Sequence, residues 1–170
     1  MVGADPDPIP TRPPTAEDVR RLCRALNAEG ARYLVIGGIA VLYYGLARAT
    51  EDIDLLVDPA PDNVERIKRA LAILPDHAAQ DLQAGDVAHY TVVRIVDEIT
   101  IDLISHVGDV TIETAETNPV ELDDVVIPLA SVQTLLATKQ GFRERDKTDR
   151  AYLERLLQID TEAPFGQDTP

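Results

Sequence analysis

The run Asp52-Ile53-Asp54-Leu55-Leu56-Val57 constrains this chain more than any other segment. Ile53, Leu55, Leu56 and Val57 read as a strand. Alternation along a strand then places Asp52 and Asp54 on one face, about 6.6 Å apart along its length. Strands are depleted in Asp, and two bare carboxylates on one face repel unless a cation sits between them. Hard oxygen ligands of this kind suit Mg²⁺.

Upstream, Tyr33-Leu34-Val35-Ile36 reads as a short buried strand that ends in Gly37-Gly38. Ile39 to Tyr44, closed by Gly45, suits a brief helix. A strand–glycine–helix unit turns backbone N–H groups toward the loop, where a phosphate-bearing ligand can approach closely. A third acid, Asp102, stands in Thr100-Ile101-Asp102-Leu103-Ile104 between apolar neighbours, which repeats the anomaly of an acid inside a buried-looking strand. If that strand lies beside the Asp52 strand, the three carboxylates converge. Two metal ions about 4 Å apart would then have a common set of ligands.

The remaining elements follow from periodicity. Thr15 N-caps a helix with Val19, Leu22, Cys23 and Leu26 on one stripe, and Gly30 stops it. Pro61 opens a helix with Val64, Ile67, Leu71 and Leu74 at helical spacing. His89 to Ile95 and Ile99 to Ile104 alternate as two strands joined at Asp97-Glu98, a hairpin. Val120 to Ile127 reads as an added edge strand. Helices are expected from Ser131 through Gln140 and from about Asp146 to Gln158. The domain reading is a flexible proline-rich stretch over residues 1–14, one domain over 15–159 and a flexible tail over 160–170.

Composition excludes several classes. With 16 Lys and Arg against 30 Asp and Glu, the net charge of −14 argues against a broad nucleic-acid-binding surface. The single cysteine, Cys23, has no partner for an internal disulfide and sits on an apolar stripe, where packing is its expected role. No stretch is apolar enough to cross a membrane, so a cytoplasmic, reducing location is expected. His77, His89 and His106 show no metal-ligand spacing.

Ile36-Gly37-Gly38 followed by Arg48-Ala49-Thr50-Glu51-Asp52-Ile53-Asp54 resembles the nucleotidyltransferase superfamily that includes DNA polymerase β. The Arg-x-Thr-x-Asp-Ile-Asp spelling is most similar to the AbiEii-like nucleotidyltransferases of type IV toxin–antitoxin systems. The resemblance spans roughly Tyr33 to Leu157. It implies an α/β (α+β) nucleotidyltransferase fold, a mixed β-sheet with helices mainly on one face and a C-terminal helical pair. It also implies Mg²⁺, two ions by analogy, and a nucleoside triphosphate donor. Gly37 and Gly38 match the glycine motif that holds the triphosphate. Asp52 and Asp54 match the metal-binding pair, and Asp102 is the expected third acid. Lys139 matches the lysine of the third motif, which meets donor phosphates, and Asp149 the acid of the fourth. Many superfamily members place Ser after the first glycine; Gly38 removes that hydroxyl here.

Arg48 lies four residues before the first acid, placed to meet a phosphate or Asp52. Lys139, Arg143, Arg145, Lys147 and Arg150 form the densest basic region. Of these, Lys139 is expected to face the triphosphate, and Arg143 and Arg150 to sit on a helix surface paired with nearby acids. The resulting expectation is transfer of a nucleoside monophosphate to a hydroxyl on a tRNA 3′ end, a protein or a small molecule, with a cognate toxin or antitoxin protein as a partner. The rival is a non-catalytic protein of the same fold that binds nucleotide or only a partner.

Overall fold

In the computed structural model, which describes residues 10–141 and 143–162, helix α1 (Ala16–Ala28) opens on a complete capping box. Thr15 accepts from the Asp18 backbone N–H, and the Asp18 carboxylate accepts from the Thr15 N–H at 2.7 Å. Arg12 adds a bidentate pair to the same carboxylate, at 2.6 and 2.9 Å. Val19, Leu22, Cys23 and Leu26 are fully buried, as the stripe requires. Burial pushes the Cys23 thiol up to about 11, so it is a packing residue and not a thiolate.

Four strands form the main sheet: β1 (Tyr33–Ile36), β2 (Asp52–Val57), β3 (Val92–Val96) and β4 (Thr100–Ile104). Their order is β1-β2-β4-β3, with β2 and β4 parallel and the two outer pairings antiparallel. The sheet is therefore mixed, and the hairpin read from residues 89–104 forms as β3–β4. His89 falls outside it, in a short helix, α4 (Asp86–His89).

Pleat alternation divides the sheet cleanly. Tyr33, Ile53, Leu55, Ile101 and Leu103 share one face and are buried. Helix α1 covers that face, where the Tyr33 hydroxyl donates to Asn27 Oδ1 at 2.8 Å. Helix α3 (Pro61–Leu71) packs against α1 with Val64, Ile67 and Leu71 inward. The other face carries the acids.

Helix α2 (Gly37–Tyr43) begins directly at the end of β1. Strands β5 (His106–Val107) and β6 (Val110–Thr111) form a minor ribbon. The segment read as an added edge strand is a separate hairpin instead, β7 (Val120–Leu122) and β8 (Val125–Ile127), turning at Asp123 with φ 54°. A four-residue reversal inside the apolar run explains the difference: eight residues with a central Asp-Asp pair satisfy each other's backbone. The edge of β1 is met by the strand end that follows, where Val35 N–H donates to Pro128 O at 2.8 Å and Ala130 N–H to Val35 O at 3.0 Å.

The chain closes with α5 (Val132–Thr138), N-capped by Ser131, and α6 (Glu144–Glu162), the C-terminal helical pair. Helix α6 continues past Gln158 to Glu162. Residues 1–9 and 163–170 of the two expected flexible ends lie outside the described residues. Among residues 10–14, Thr11 donates to Asp97 O at 2.9 Å.

Candidate metal and phosphate site

Strand register assembles the site. Asp54 on β2 stands directly opposite Asp102 on β4, and Asp102 stands opposite Arg94 on β3. One row across three strands thus reads Asp54, Asp102, Arg94, with Asp52 two residues along on the same face. Asp52, Asp54 and Asp102 each present a carboxylate oxygen within 4.8 Å of the others. The convergence expected from sequence is present, and parallel pairing of β2 with β4 produces it.

The glycine pair is packed by the protein's own side chains. Gly37 has φ 65°, and a Cβ there would lie 2.0 Å from Asp54 Oδ2. At Gly38 a Cβ would meet Thr50 Oγ1 at 2.7 Å and Arg48 Nη2 at 2.9 Å. Each glycine therefore clears the space that a neighbour fills: the first admits the Asp54 carboxylate, the second the loop that leads into β2. Thr50 tightens that loop by donating to the Asp52 carbonyl at 3.1 Å. This gives physical content to the Thr of the Arg-x-Thr-x-Asp-Ile-Asp run, which carried no role when read alone.

The cations sit on the opposite wall. Lys139, at the C-terminal end of α5, pairs with Asp149 at 3.0 Å and Asp146 at 3.7 Å, both from α6. Arg48 also pairs with Asp149, and not with Asp52. Asp149 is 1% exposed and so joins the β2 approach loop to both terminal helices beneath the cavity floor. It lies outside the carboxylate cluster. Arg150 donates to the Lys139 carbonyl, which holds the α5 terminus in place. A cavity of about 180 Å³ lies between the two walls. Its lining is nearly all charged: the three acids, Arg48, Arg94, Lys139, Arg143, Arg145 and Asp146, with Gly38 at the loop.

Two departures from the sequence expectation stand out. Arg143 lines this cavity instead of pairing on a helix surface, since α6 begins only at Glu144 and Arg143 precedes it. Arg94 was not anticipated at all. It donates Nε to Asp102 Oδ1 at 2.8 Å and Nη2 to Asp102 Oδ2 at 2.7 Å, and reaches Asp52 Oδ2 at 3.2 Å. An arginine in an alternating edge strand reads as a solvated residue; only its register against Asp102 distinguishes it.

The donor set fits a divalent cation. All the ligand atoms are carboxylate oxygens, the hard donors that Mg²⁺ takes. Burial, and then the charges of Asp52 and Asp102, raise the Asp54 carboxyl from the usual range to about 6. A cluster in that state is short of positive charge.

No curated protein matches this chain closely enough to compare. The family model for "Nucleotidyl transferase AbiEii toxin, Type IV TA system" matches residues 20–140, more than half the chain. That span holds the glycine pair, Arg48, all three acids, Arg94 and Lys139, and ends before α6. By the match and by the mixed sheet that carries the acids, the chain belongs to the AbiEii nucleotidyl transferase family of type IV toxin–antitoxin systems.

Proposed function

We propose that this protein transfers a nucleoside monophosphate from a nucleoside triphosphate to a hydroxyl acceptor, in a Mg²⁺-dependent reaction. The observation that carries the reading is the acidic row set against a cationic wall across one small cavity. Asp54, Asp102 and Asp52 face Lys139, Arg143, Arg145 and Arg48. Carboxylates alone would repel a triphosphate, and cations alone would bind it without activating an attacking group.

Asp52, Asp54 and Asp102 would hold the metal, which supplies charge neutralisation and lowers the cost of forming an alkoxide. Lys139, oriented by Asp149 and Asp146, is placed to offset charge on the β- and γ-phosphates as they depart. Arg143, just ahead of α6, and Arg145, in its first turn, reinforce it. The acceptor oxygen bonds to the α-phosphorus in line with the bond to the bridging oxygen. That second bond breaks with its electron pair on the leaving pyrophosphate. Asp102, as metal ligand or as base, would help to deprotonate the acceptor hydroxyl. The Gly37-Gly38 turn holds Asp54 and the Arg48–Thr50 loop at the site's edge.

The acceptor is a hydroxyl of a tRNA 3′ end, a protein or a small molecule. A cognate antitoxin protein is the expected partner, as membership of a toxin–antitoxin family suggests. No helix among the described residues is long and apolar enough to cross a membrane, in keeping with a cytoplasmic site of action.

Incubation with each labelled nucleoside triphosphate, Mg²⁺ and total tRNA or cell extract tests the proposal. Label transfer by the wild type and its loss in Asp52→Asn/Asp54→Asn are expected. Equal transfer by both proteins would sink it, and no transfer together with retained nucleotide binding would favour the non-catalytic reading.

A further inference from the structure

Arg94 occupies the place of a ligand-bound cation. Its guanidinium bonds three of the six carboxylate oxygens in the cluster: both of Asp102 and one of Asp52. Asp54 has no such bond. A divalent ion held jointly by Asp102 would have to sit against oxygens that the guanidinium already caps. Two cations, one of them doubly charged, cannot share that space without strong repulsion in a partly desolvated pocket.

The same side chain is free to leave. Arg94 lies on β3, at the edge of the sheet, and its side chain is 57% exposed. Val92 and Val96, which flank it on the same strand face, are half exposed, so no packed wall stands in its way. Among the described residues its side-chain bonds run only to Asp102 and Asp52. Release therefore breaks two ion pairs and disturbs no core.

We propose that Arg94 is an internal counter-ion that closes the Asp102 end of the cluster and competes with one of the two divalent ions. The inference rests on the metal-site reading given above. An ion shared by Asp52 and Asp54 would bind with Arg94 in place, through Asp54 and the Asp52 oxygen that Arg94 leaves free. The ion that needs Asp102 binds only to the fraction of molecules in which Arg94 has swung to solvent, so its apparent affinity falls by that fraction. In metal-free protein Arg94 partners Asp102 and one oxygen of Asp52, while Asp54 has no ion pair among the described residues.

Equilibrium binding of Mn²⁺ without nucleotide tests this, with the wild type, Arg94→Gln, Arg94→Lys and Asp52→Asn/Asp54→Asn. The weaker Mn²⁺ site should tighten at least about tenfold in Arg94→Gln, the weight of one charge-assisted bidentate pair. The stronger site should change little. Arg94→Lys, which cannot fork across both Asp102 oxygens, should fall between. The Mn²⁺-induced rise in melting temperature should also be larger in Arg94→Gln than in the wild type. Superimposable isotherms for wild type and Arg94→Gln, or weaker binding in the variant, would overturn the proposal. If circular dichroism finds Arg94→Gln unfolded, the Lys variant alone decides it by the same comparison. Failure of the metal-site reading is distinct: Asp52→Asn/Asp54→Asn would then bind Mn²⁺ as the wild type does.

Discussion

Asp54 is the member of the acidic cluster that no cation touches among the described residues, and its carboxyl titrates near 6 because of burial first and its acidic neighbours second. Its unfolded value lies near 3.8, so between about pH 4 and about pH 6 the folded chain binds a proton that the unfolded chain does not. Metal-free protein should therefore lose stability as pH rises through that window, by an amount on the order of 2–3 kcal/mol, and stay at the lower level above it. Asp54→Asn removes the ionisation, so at pH 8 in chelator it should melt several degrees higher than the wild type. A lower melting temperature for the variant would contradict this. At Gly37 the backbone is left-handed and a methyl would meet Asp54 at 2.0 Å. Gly37→Ala should cost about 1–2 kcal/mol in urea titrations and weaken Mn²⁺ binding as well, since Asp54 must move. Stability loss with unchanged Mn²⁺ binding would show that Asp54 does not depend on this glycine.

At the scale of elements, the site is a matter of register. Parallel pairing of β2 with β4 sets Asp54 opposite Asp102; a slip by one residue would turn Asp102 to the helix-covered face. The two strands and their acids were legible because each places a charge where burial alone would forbid one. The β3–β4 hairpin was legible from alternation around Asp97-Glu98. Arg94 was not, because its meaning lies in the residue opposite and not in its own strand. The β7–β8 hairpin reads in sequence as one strand, since a short run of this kind looks alike whether it extends or doubles back. Helix α6 supplies Asp149, whose buried carboxylate pairs with both Lys139 and Arg48. Asp149→Asn leaves Arg48 without its counter-charge and Lys139 with only the longer pair to Asp146, and should destabilise the fold by about 3 kcal/mol. It should do so while Mn²⁺ affinity holds, because Asp149 stands outside the carboxylate cluster. Thermal melts with parallel Mn²⁺ titration check both halves of that expectation.

For the whole molecule, a net charge of −14 coexists with a wall of cations gathered at one cavity. The overall field repels polyanions, so the proposed triphosphate donor would be captured locally, at the cationic wall. Fold class, the mixed sheet and the convergence of Asp52, Asp54 and Asp102 could be read from the chain because a few motif residues carry them. The acceptor could not, because no residue pattern in the sequence distinguishes a tRNA 3′ end from a protein or a small molecule. Which phosphorus of the triphosphate is attacked is decided by the position of a label. With triphosphate labelled at the α-phosphate, the acceptor fraction should become labelled; with label at the γ-phosphate, all of it should leave as pyrophosphate, and Asp52→Asn/Asp54→Asn should abolish both outcomes. Retention of γ-label on the acceptor, or α-label transfer that survives loss of the two acids, would contradict the account.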